Sequence, residues 1–454
     1  MQISRGDKNK TKQRFLKKRI NIITMGCSKN LVDSEHLMRQ LSASGIEVVH
    51  DARLDEASTI IVNTCGFIHD AREESVNMIL QCVDAKNKGI IENLFVMGCL
   101  SELYQKELEK EIPEVTGYFG VRNMEEVIRR LEGEYRTGLR TERTITTPRH
   151  YAYLKIAEGC NRTCAFCSIP NIRGAHVSVP LEEVEREARF LANQGVKELL
   201  VISQDVSYYG WDRYQKQMLP ELMERLCRVD GAEWVRLHYA YPLLFPMQVV
   251  EMMRHERKIC RYVDMPVQHI SDKMLKIMRR NITGAETMRL IDAIREKLPD
   301  VALRTTLIVG HPEETDDDFG QLVRFVEQAR FDRLGVFAYS HEENTYAAKY
   351  YKDNVPEKVK QERADYIMRL QKDISEEMNR KKIGKIFKTL IDREENDFYV
   401  GRTEYDSPEV DTETLIPKNG EALQIGHFYP VRISDTAEFD LYGTVVCESL
   451  HPSP

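Results

Sequence analysis

The sequence lacks an apolar run long enough to cross a membrane. Residues 198–203, which read ELLVIS, are among the longest such runs. They fall far short of the roughly 20 residues that a spanning helix needs. The first residues also lack the apolar core of a secretory signal peptide. We therefore expect a cytoplasmic protein without a membrane partner.

The chain contains ten cysteines but no secretory segment. Disulfide frameworks form in oxidising compartments, so the cysteines of such a chain are expected to stay reduced. Reduced thiols are available as metal ligands. The spacing of the cysteines is therefore the first place to look for chemistry.

Three cysteines form a C-x3-C-x2-C motif, Cys160, Cys164 and Cys167, in a loop that follows the apolar run 151–157. Thiolates select zinc, copper(I) or iron–sulfur clusters, and a closed zinc site needs a fourth ligand that is absent nearby. A 4Fe-4S cluster usually takes four cysteines, so three would leave one iron open to an exogenous ligand. The motif predicts such a cluster; the alternative is a partial zinc site or three half-buried cysteines.

At 454 residues the chain is too long for one ordinary core, and its first part reads as an α/β domain over 20–133. Three strand-like runs alternate with helical patterns, and each run leads to a cysteine: Cys27, Cys65 or Cys99. Because the carboxyl ends of parallel strands meet at one edge of a sheet, we expect these three thiols to lie side by side. They could ligate a second cluster; the alternative is three cysteines used as small hydrophobic residues.

Residues 134–150 read as a linker, and 151–383 as a second domain. This domain offers six strand-like runs with helical patterns between them: 151–157, 197–203, 233–238, 261–267, 301–309 and 332–338. Six units are too few for a closed eight-stranded barrel, so an open partial barrel is expected. Its active site should lie at the carboxyl ends of the strands.

The last segment, 384–454, contains short strand-like runs between turn-rich pieces and predicts a small antiparallel β-barrel. It holds 14 acidic and 6 basic residues. Residues 1–19 carry the opposite balance, eight basic residues against one acidic, and read as a flexible basic tail. A β-barrel appended to an enzyme is usually a substrate-binding module.

The motif around Cys160, with the aromatic Phe166 before the last cysteine, resembles that of the radical S-adenosylmethionine (SAM) superfamily. The whole layout resembles the methylthiotransferase family, whose members join a three-cysteine domain, a radical SAM partial barrel and a TRAM barrel. Six stretches are similar to the RimO branch of that family: 25–35, 62–68, 153–160, 236–242, 303–306 and 401–411.

This resemblance implies two 4Fe-4S clusters, one on Cys27, Cys65 and Cys99 and the other on Cys160, Cys164 and Cys167. It implies that one SAM methylates a sulfur carried by the first cluster. A second SAM, bound at the other cluster, yields the radical that takes hydrogen from the β-carbon of an aspartate. That aspartate belongs to ribosomal protein S-twelve of the small subunit. A sulfur donor is required, and so is an electron donor such as flavodoxin or ferredoxin.

Position at strand ends or within strands selects three candidate SAM neighbours in the second domain. Gln204 would supply an amide, Arg304 a guanidinium for a carboxylate, and Gly310 a close approach of the backbone. An ordinary structural role is an equal alternative for each.

The sibling branch modifies transfer RNA adenosine, and RNA binding calls for a basic surface. The acidic C-terminal barrel argues against that branch and favours a basic protein partner, so direct transfer RNA binding is not expected. A non-catalytic iron–sulfur or electron-transfer protein is the alternative from another class.

Three stretches depart from the usual family pattern. Residues 175–179 read AHVSV where an Arg-Ser-Arg stretch is usual, 310–313 read GHPE for Gly-Phe-Pro-Gly, and 342–346 read EENTY for Glu-Glu-Gly-Thr-Pro. None of them includes a predicted cluster ligand. They could tune the substrate without altering the reaction.

Overall fold

The computed structural model describes residues 19–419 and 422–447. Most of the predicted basic tail, residues 1–18, therefore lies outside the described residues. The chain divides into two compact units. The first holds the chain up to Thr147 with the segments Glu158–Asn161 and Ser168–Ala175, and the second holds the remainder. Within the described ranges, no helix combines the length and apolar character needed to cross a membrane.

The first unit is built on a parallel five-stranded sheet in the order β2-β1-β3-β4-β5. Its elements are β1 (Arg19–Thr24), α1 (Ser28–Ala43), β2 (Glu47–His50), β3 (Thr59–Thr64), α2 (His69–Asn87), β4 (Asn93–Gly98), α3 (Cys99–Glu111), β5 (Gly117–Phe119) and α4 (Met124–Arg130). Strand β3 is buried along its whole length because helices cover both faces of the sheet. Ile60 and Val62 pack into one core and Ile61 into the other, as the two-residue period of a strand requires.

The second unit contains all six predicted barrel strands, in two parallel ladders ordered β10-β9-β6 and β11-β12-β13. Its strands are β6 (Tyr151–Lys155), β9 (Glu198–Ile202), β10 (Trp234–Leu237), β11 (Tyr262–Asp264), β12 (Ala302–Val309) and β13 (Arg333–Ala338), with the two-residue strands β7 (Ala157–Glu158) and β8 (Val177–Ser178) beside them. The partial parallel barrel is confirmed.

Helices alternate with these strands. They are α5 (Ile169–Arg173), α6 (Leu181–Asn193), α7 (Trp211–Tyr214), α8 (Leu219–Cys227), α9 (Met247–His255), α10 (Asp272–Ile277), α11 (Gly284–Lys297), α12 (Asp316–Ala329), α13 (Tyr346–Tyr350) and α14 (Glu357–Arg380). Capping boxes at Thr283 and Thr315 start α11 and α12, because each threonine side chain satisfies a free backbone N–H of the first turn.

The chain ends in a closed barrel ordered β14-β15-β16-β18-β17, which confirms the small C-terminal barrel. Its strands are β14 (Ile386–Glu395), β15 (Phe398–Thr403), β16 (Thr414–Pro417), β17 (Phe428–Thr436) and β18 (Leu441–Val445). The sequence pattern missed β16, which has only four residues. The pairing of β16 with β18 is parallel, whereas the other ladders are antiparallel.

Buried ion pairs fasten this small barrel to the parallel strands of the same unit. Glu198 on β9 accepts from the Nε of Arg236 at 2.7 Å and pairs with Nη1 of Arg402 at 2.5 Å. All three side chains are 0–2% exposed. Arg402 also pairs with Asp392 at 2.7 Å. Since each charge is paired inside the protein, loss of one partner would leave a buried charge without compensation.

We predict that Glu198→Gln lowers the free energy of unfolding of the second unit by about 3–5 kcal/mol, the usual effect of breaking a buried pair. Both tryptophans, Trp211 and Trp234, lie in this unit, so their fluorescence during urea denaturation reports on it. The control is Glu224→Gln, which breaks an exposed pair with Arg228 of the same unit and should change stability by less than about 1 kcal/mol. Equal effects of the two variants would contradict the prediction.

Candidate functional site

Cys27, Cys65 and Cys99 follow β1, β3 and β4, which are neighbours in the sheet. Gly26 has a φ of 88°, and a Cβ placed there would lie 2.9 Å from the Sγ of Cys65. A Cβ at Gly66 would lie 2.7 Å from the backbone nitrogen of Leu100. The three strand ends therefore approach so closely that only glycine fits between them.

The donor set of this edge is Cys27, which is exposed, and Cys65 and Cys99, which are buried. Burial raises the pKa of Cys65, and it raises the pKa of Cys99 to about 12 although Arg173 opposes the shift. Such thiols ionise only when a metal centre compensates their charge. This edge therefore fits a metal cluster and would not supply a free thiolate.

Among the described residues, no group of three or more His, Cys, Asp or Glu side chains is arranged to hold a single metal ion. A 4Fe-4S cluster places each thiolate on a different iron, so its cysteines lie farther apart than the ligands of one ion. The assignment of both cysteine triads as cluster ligands stays a prediction.

Asn30 ties the three strand ends together. Its amide nitrogen donates to the carbonyl oxygens of Met25 at 2.9 Å and Thr64 at 3.0 Å. Its amide oxygen accepts from the Nη2 of Arg173 at 2.5 Å and lies 3.7 Å from the Sγ of Cys99. One buried side chain thus links β1, β3 and the start of α3.

Cys164 and Cys167 of the second triad belong to the second unit, and Cys160 belongs to the first. The Nη1 of Arg280 donates to the Sγ of Cys164 at 3.3 Å. The ring of Tyr241 lies between two guanidinium groups, 4.1 Å from that of Arg162 and 4.0 Å from that of Arg280. Cys164 thus has a guanidinium and a tyrosine hydroxyl beside its sulfur.

Sequence reasoning did not single out Arg162, Tyr241 or Arg280 as site residues. Arg280 follows α10 and is 116 positions from Cys164, so no local spacing joins them. Tyr241 lies just beyond the end of β10, a position that could have marked it as a candidate.

The three predicted SAM neighbours lie on the second unit. Gln204 follows β9 and is half-buried. Arg304 lies within β12 and pairs with Asp264 at 3.0 Å and Asp411 at 3.4 Å. Gly310 follows β12 with a φ of 72°, and a Cβ there would lie 2.2 Å from the Cγ of Lys360. The last two therefore have structural partners within the protein, and SAM binding by all three stays a prediction.

Three known protein families match parts of this chain. They are the radical SAM superfamily at residues 154–326, the TRAM domain at 383–446, and uncharacterized protein family UPF0004 at 19–120. The chain is 55% identical over 430 residues to the ribosomal protein uS12 methylthiotransferase RimO of Parabacteroides distasonis, with 95% of this chain and 99% of that protein covered. The RimO of Flavobacterium johnsoniae is 54% identical, with 94% and 98% covered.

The chain belongs to the RimO methylthiotransferase family. It is therefore an enzyme of the radical SAM class, with an iron–sulfur cluster and SAM as cofactors. A similar fold occurs in the solved structure of the radical SAM methyltransferase TsrM from Kitasatospora setae, at a TM-score of 0.55 and 14% identity over 73% of this chain and 77% of that one.

His311 lies just beyond the end of β12. Its ring is 0% exposed and packs edge-on against Tyr339 at a centroid distance of 4.9 Å. Nδ1 lies 3.0 Å from the carbonyl oxygen of Pro312, and Nε2 has no hydrogen-bond partner. Burial lowers the pKa of His311 to about 4. The imidazole thus serves as an aromatic core residue that stays neutral.

This burial makes the stability of the second unit sensitive to acid. Between pH 6.5 and 4 the unfolded chain takes up a proton at His311 and the folded chain does not, so stability falls as the pH is lowered through this window. We predict that the free energy of unfolding falls by about 3 kcal/mol less in His311→Phe than in the unchanged protein. The estimate uses roughly 1.4 kcal/mol per pKa unit. Urea denaturation at pH 7 and pH 4.5 measures it, and parallel stability profiles for the variant and the unchanged protein would refute it.

Proposed function

We propose that this protein attaches a methylthio group to the β-carbon of an aspartate in small-subunit ribosomal protein uS12. The observation that carries the proposal is the presence of two separate cysteine triads in a chain that belongs to the RimO family. A protein that only transfers electrons needs no cluster with an open iron, and each triad offers three thiols and no fourth.

We infer two 4Fe-4S clusters. Cys27, Cys65 and Cys99 would hold one, and Cys160, Cys164 and Cys167 would hold the other together with SAM. When bound, these cofactors supply the electron, the hydrogen-abstracting radical, the methyl group and the sulfur. A radical is required because the β-carbon of an aspartate carries no hydrogen that a general base can remove near neutral pH.

The residues of the chain hold and shield these centres. Cys160 and Cys164 are 9% and 8% exposed, so water has little access to their sulfur atoms. The backbone N–H of Cys160 donates to the carbonyl oxygen of Gly174 at 3.0 Å, and that of Ala165 donates to Met278 at 2.9 Å. These bonds anchor the loop that carries the three cysteines. Arg280 adds a charge-assisted donor to one ligand sulfur.

The proposal of a basic protein substrate rests mainly on membership of the RimO family. The charge of the C-terminal barrel supports it less strongly than the count of its acidic and basic residues suggested. Six of the fourteen acidic residues after Gly384 contact other parts of the second unit. They are Asp392, Glu404, Asp406, Glu409, Asp411 and Glu438. Two of the six basic residues, Lys388 and Arg402, do the same. Apart from these, the segment holds eight acidic and four basic residues, a modest excess that neither repels RNA strongly nor attracts a basic protein strongly.

Transfer RNA adenosine is therefore the alternative substrate to test, and a non-catalytic iron–sulfur protein is the alternative class. The similarity of the RimO proteins over 94–95% of the chain favours uS12 over both. We also propose an external electron donor of the flavodoxin or ferredoxin type and an external sulfur donor, because the reaction consumes an electron and a sulfur atom that the polypeptide does not supply.

The experiment is an anaerobic assay with reconstituted protein, SAM, dithionite and a peptide that carries the uS12 aspartate. The unchanged protein is expected to form 5′-deoxyadenosine and to add one methylthio group to the peptide, as seen by mass. Cys160→Ala should abolish both products. Cys65→Ala should still form 5′-deoxyadenosine without modifying the peptide, because only the N-terminal triad is broken.

Cys82→Ala is the matched control, since Cys82 is also buried in the first unit but lies on α2, away from the strand ends. It should keep both activities. Modification of transfer RNA in place of the peptide would move the substrate to adenosine. Absence of SAM cleavage by protein that carries both clusters would support the non-catalytic class.

A further inference from the structure

Arg173, at the end of α5, is 1% exposed and is surrounded by polar groups of the first unit. Its Nη1 donates to both carboxylate oxygens of Glu158 at 2.9 Å and to Asp33 at 3.1 Å. Its Nη2 donates to Asn30 at 2.5 Å and to the Sγ of Cys99 at 3.6 Å. The guanidinium is thus fixed by two carboxylates and aimed at a sulfur.

The same arginine is joined to a segment of the other triad. The carbonyl oxygen of Gly174, the next residue, accepts the backbone N–H of Cys160 at 3.0 Å. Glu158, which binds the guanidinium of Arg173, is two residues before Cys160. Within the first unit, Arg173 therefore contacts Cys99 of one triad directly, and its neighbour Gly174 bonds to Cys160 of the other.

We propose that Arg173 is a positioning residue that sets the reduction potential of the cluster on Cys27, Cys65 and Cys99. The inference rests on the proposed function, which places a cluster at this triad. Arg173 acts through the sulfur of Cys99 and does not touch the substrate. Asp33 and Glu158 hold it in place and offset part of its charge.

The direction of the effect follows from charge. Reduction adds an electron to the cluster, and a cation with an N–H aimed at a ligand sulfur stabilises the more negative form. Removal of the arginine charge leaves Asp33 and Glu158 uncompensated, so the potential should fall. Removal of a carboxylate makes the surroundings more positive, so the potential should rise. If the substitutions only damaged the structure, there would be no reason for the reduction potential to shift in opposite directions in the Arg173 and Asp33 variants.

The test uses the full-length protein with Cys160, Cys164 and Cys167 all changed to alanine, so that only the N-terminal triad can bind a cluster. Iron and sulfide are added anaerobically, and the midpoint potential is measured by a titration followed by electron paramagnetic resonance. In this background Arg173→Gln is expected to lower the potential and Asp33→Asn to raise it. Arg173→Lys keeps the charge without the forked donors and should lie between Arg173→Gln and the parent.

Arg39→Gln is the matched control. Arg39 lies on α1 and pairs with Glu142 at 2.6 Å, three helical turns beyond Cys27. Its loss should leave the potential unchanged. If Arg173→Gln fails to bind iron, the rise in Asp33→Asn still tests the charge effect.

Unchanged potentials in Arg173→Gln and Asp33→Asn, or shifts of the same sign, would overturn the inference while the proposed function stands. Failure of the triple-alanine parent to bind any cluster would overturn both, because the N-terminal triad would then hold no cluster. Opposite shifts with an unmoved Arg39→Gln control would support the inference.

Discussion

The chemistry of this protein depends on how closely the carboxyl ends of β1, β3 and β4 approach one another. Neighbouring parallel strands lie about 4.8 Å apart, so three cysteines at their ends share one edge only if nothing bulky separates them. Gly26 and Gly66 leave that space, since a side chain at either would collide with Cys65 or with the start of α3. Asn30 then bonds two of the strand ends through one buried amide. The packing of the sheet itself therefore brings the three strand ends to one edge.

Burial of the thiols creates an electrostatic problem that the protein answers in the same way at both triads. Desolvation raises the pKa of Cys65 and Cys99, which opposes the thiolates that a cluster needs. At the first triad a buried arginine, Arg173, donates to Cys99, and at the second Arg280 donates to Cys164. Each guanidinium is held by its own partners, carboxylates around Arg173 and the ring of Tyr241 beside Arg280. Because these contacts fix the cations, each guanidinium is held beside its cysteine sulfur.

The sequence was sufficient to predict the layout of the fold and the shared sheet edge of Cys27, Cys65 and Cys99, because both follow from local patterns. Alternating strand and helix periods located the sheet and all six barrel strands, and strand ends selected Cys27, Cys65 and Cys99. What the sequence could not reveal depends on contacts between distant positions. Arg280 meets Cys164 across 116 residues, and Arg304 meets Asp411 of the small barrel. The sequence pattern did not predict β16, because four residues are too few to show the two-residue period of a strand. Its parallel pairing with β18 depends on closure of the barrel.

The stretch 401–411, which resembles a family motif, makes many contacts within the second unit. Its charged and hydroxyl side chains lie against parallel strands of the same unit: Arg402 pairs with Glu198, Asp406 with Arg333, and Ser407 lies 3.2 Å from His238. Glu409 accepts from Tyr151 and Tyr153, and Asp411 from Tyr262. These groups satisfy one another and are not free for a substrate. The stretch 401–411 therefore holds the small barrel against the parallel strands of the same unit.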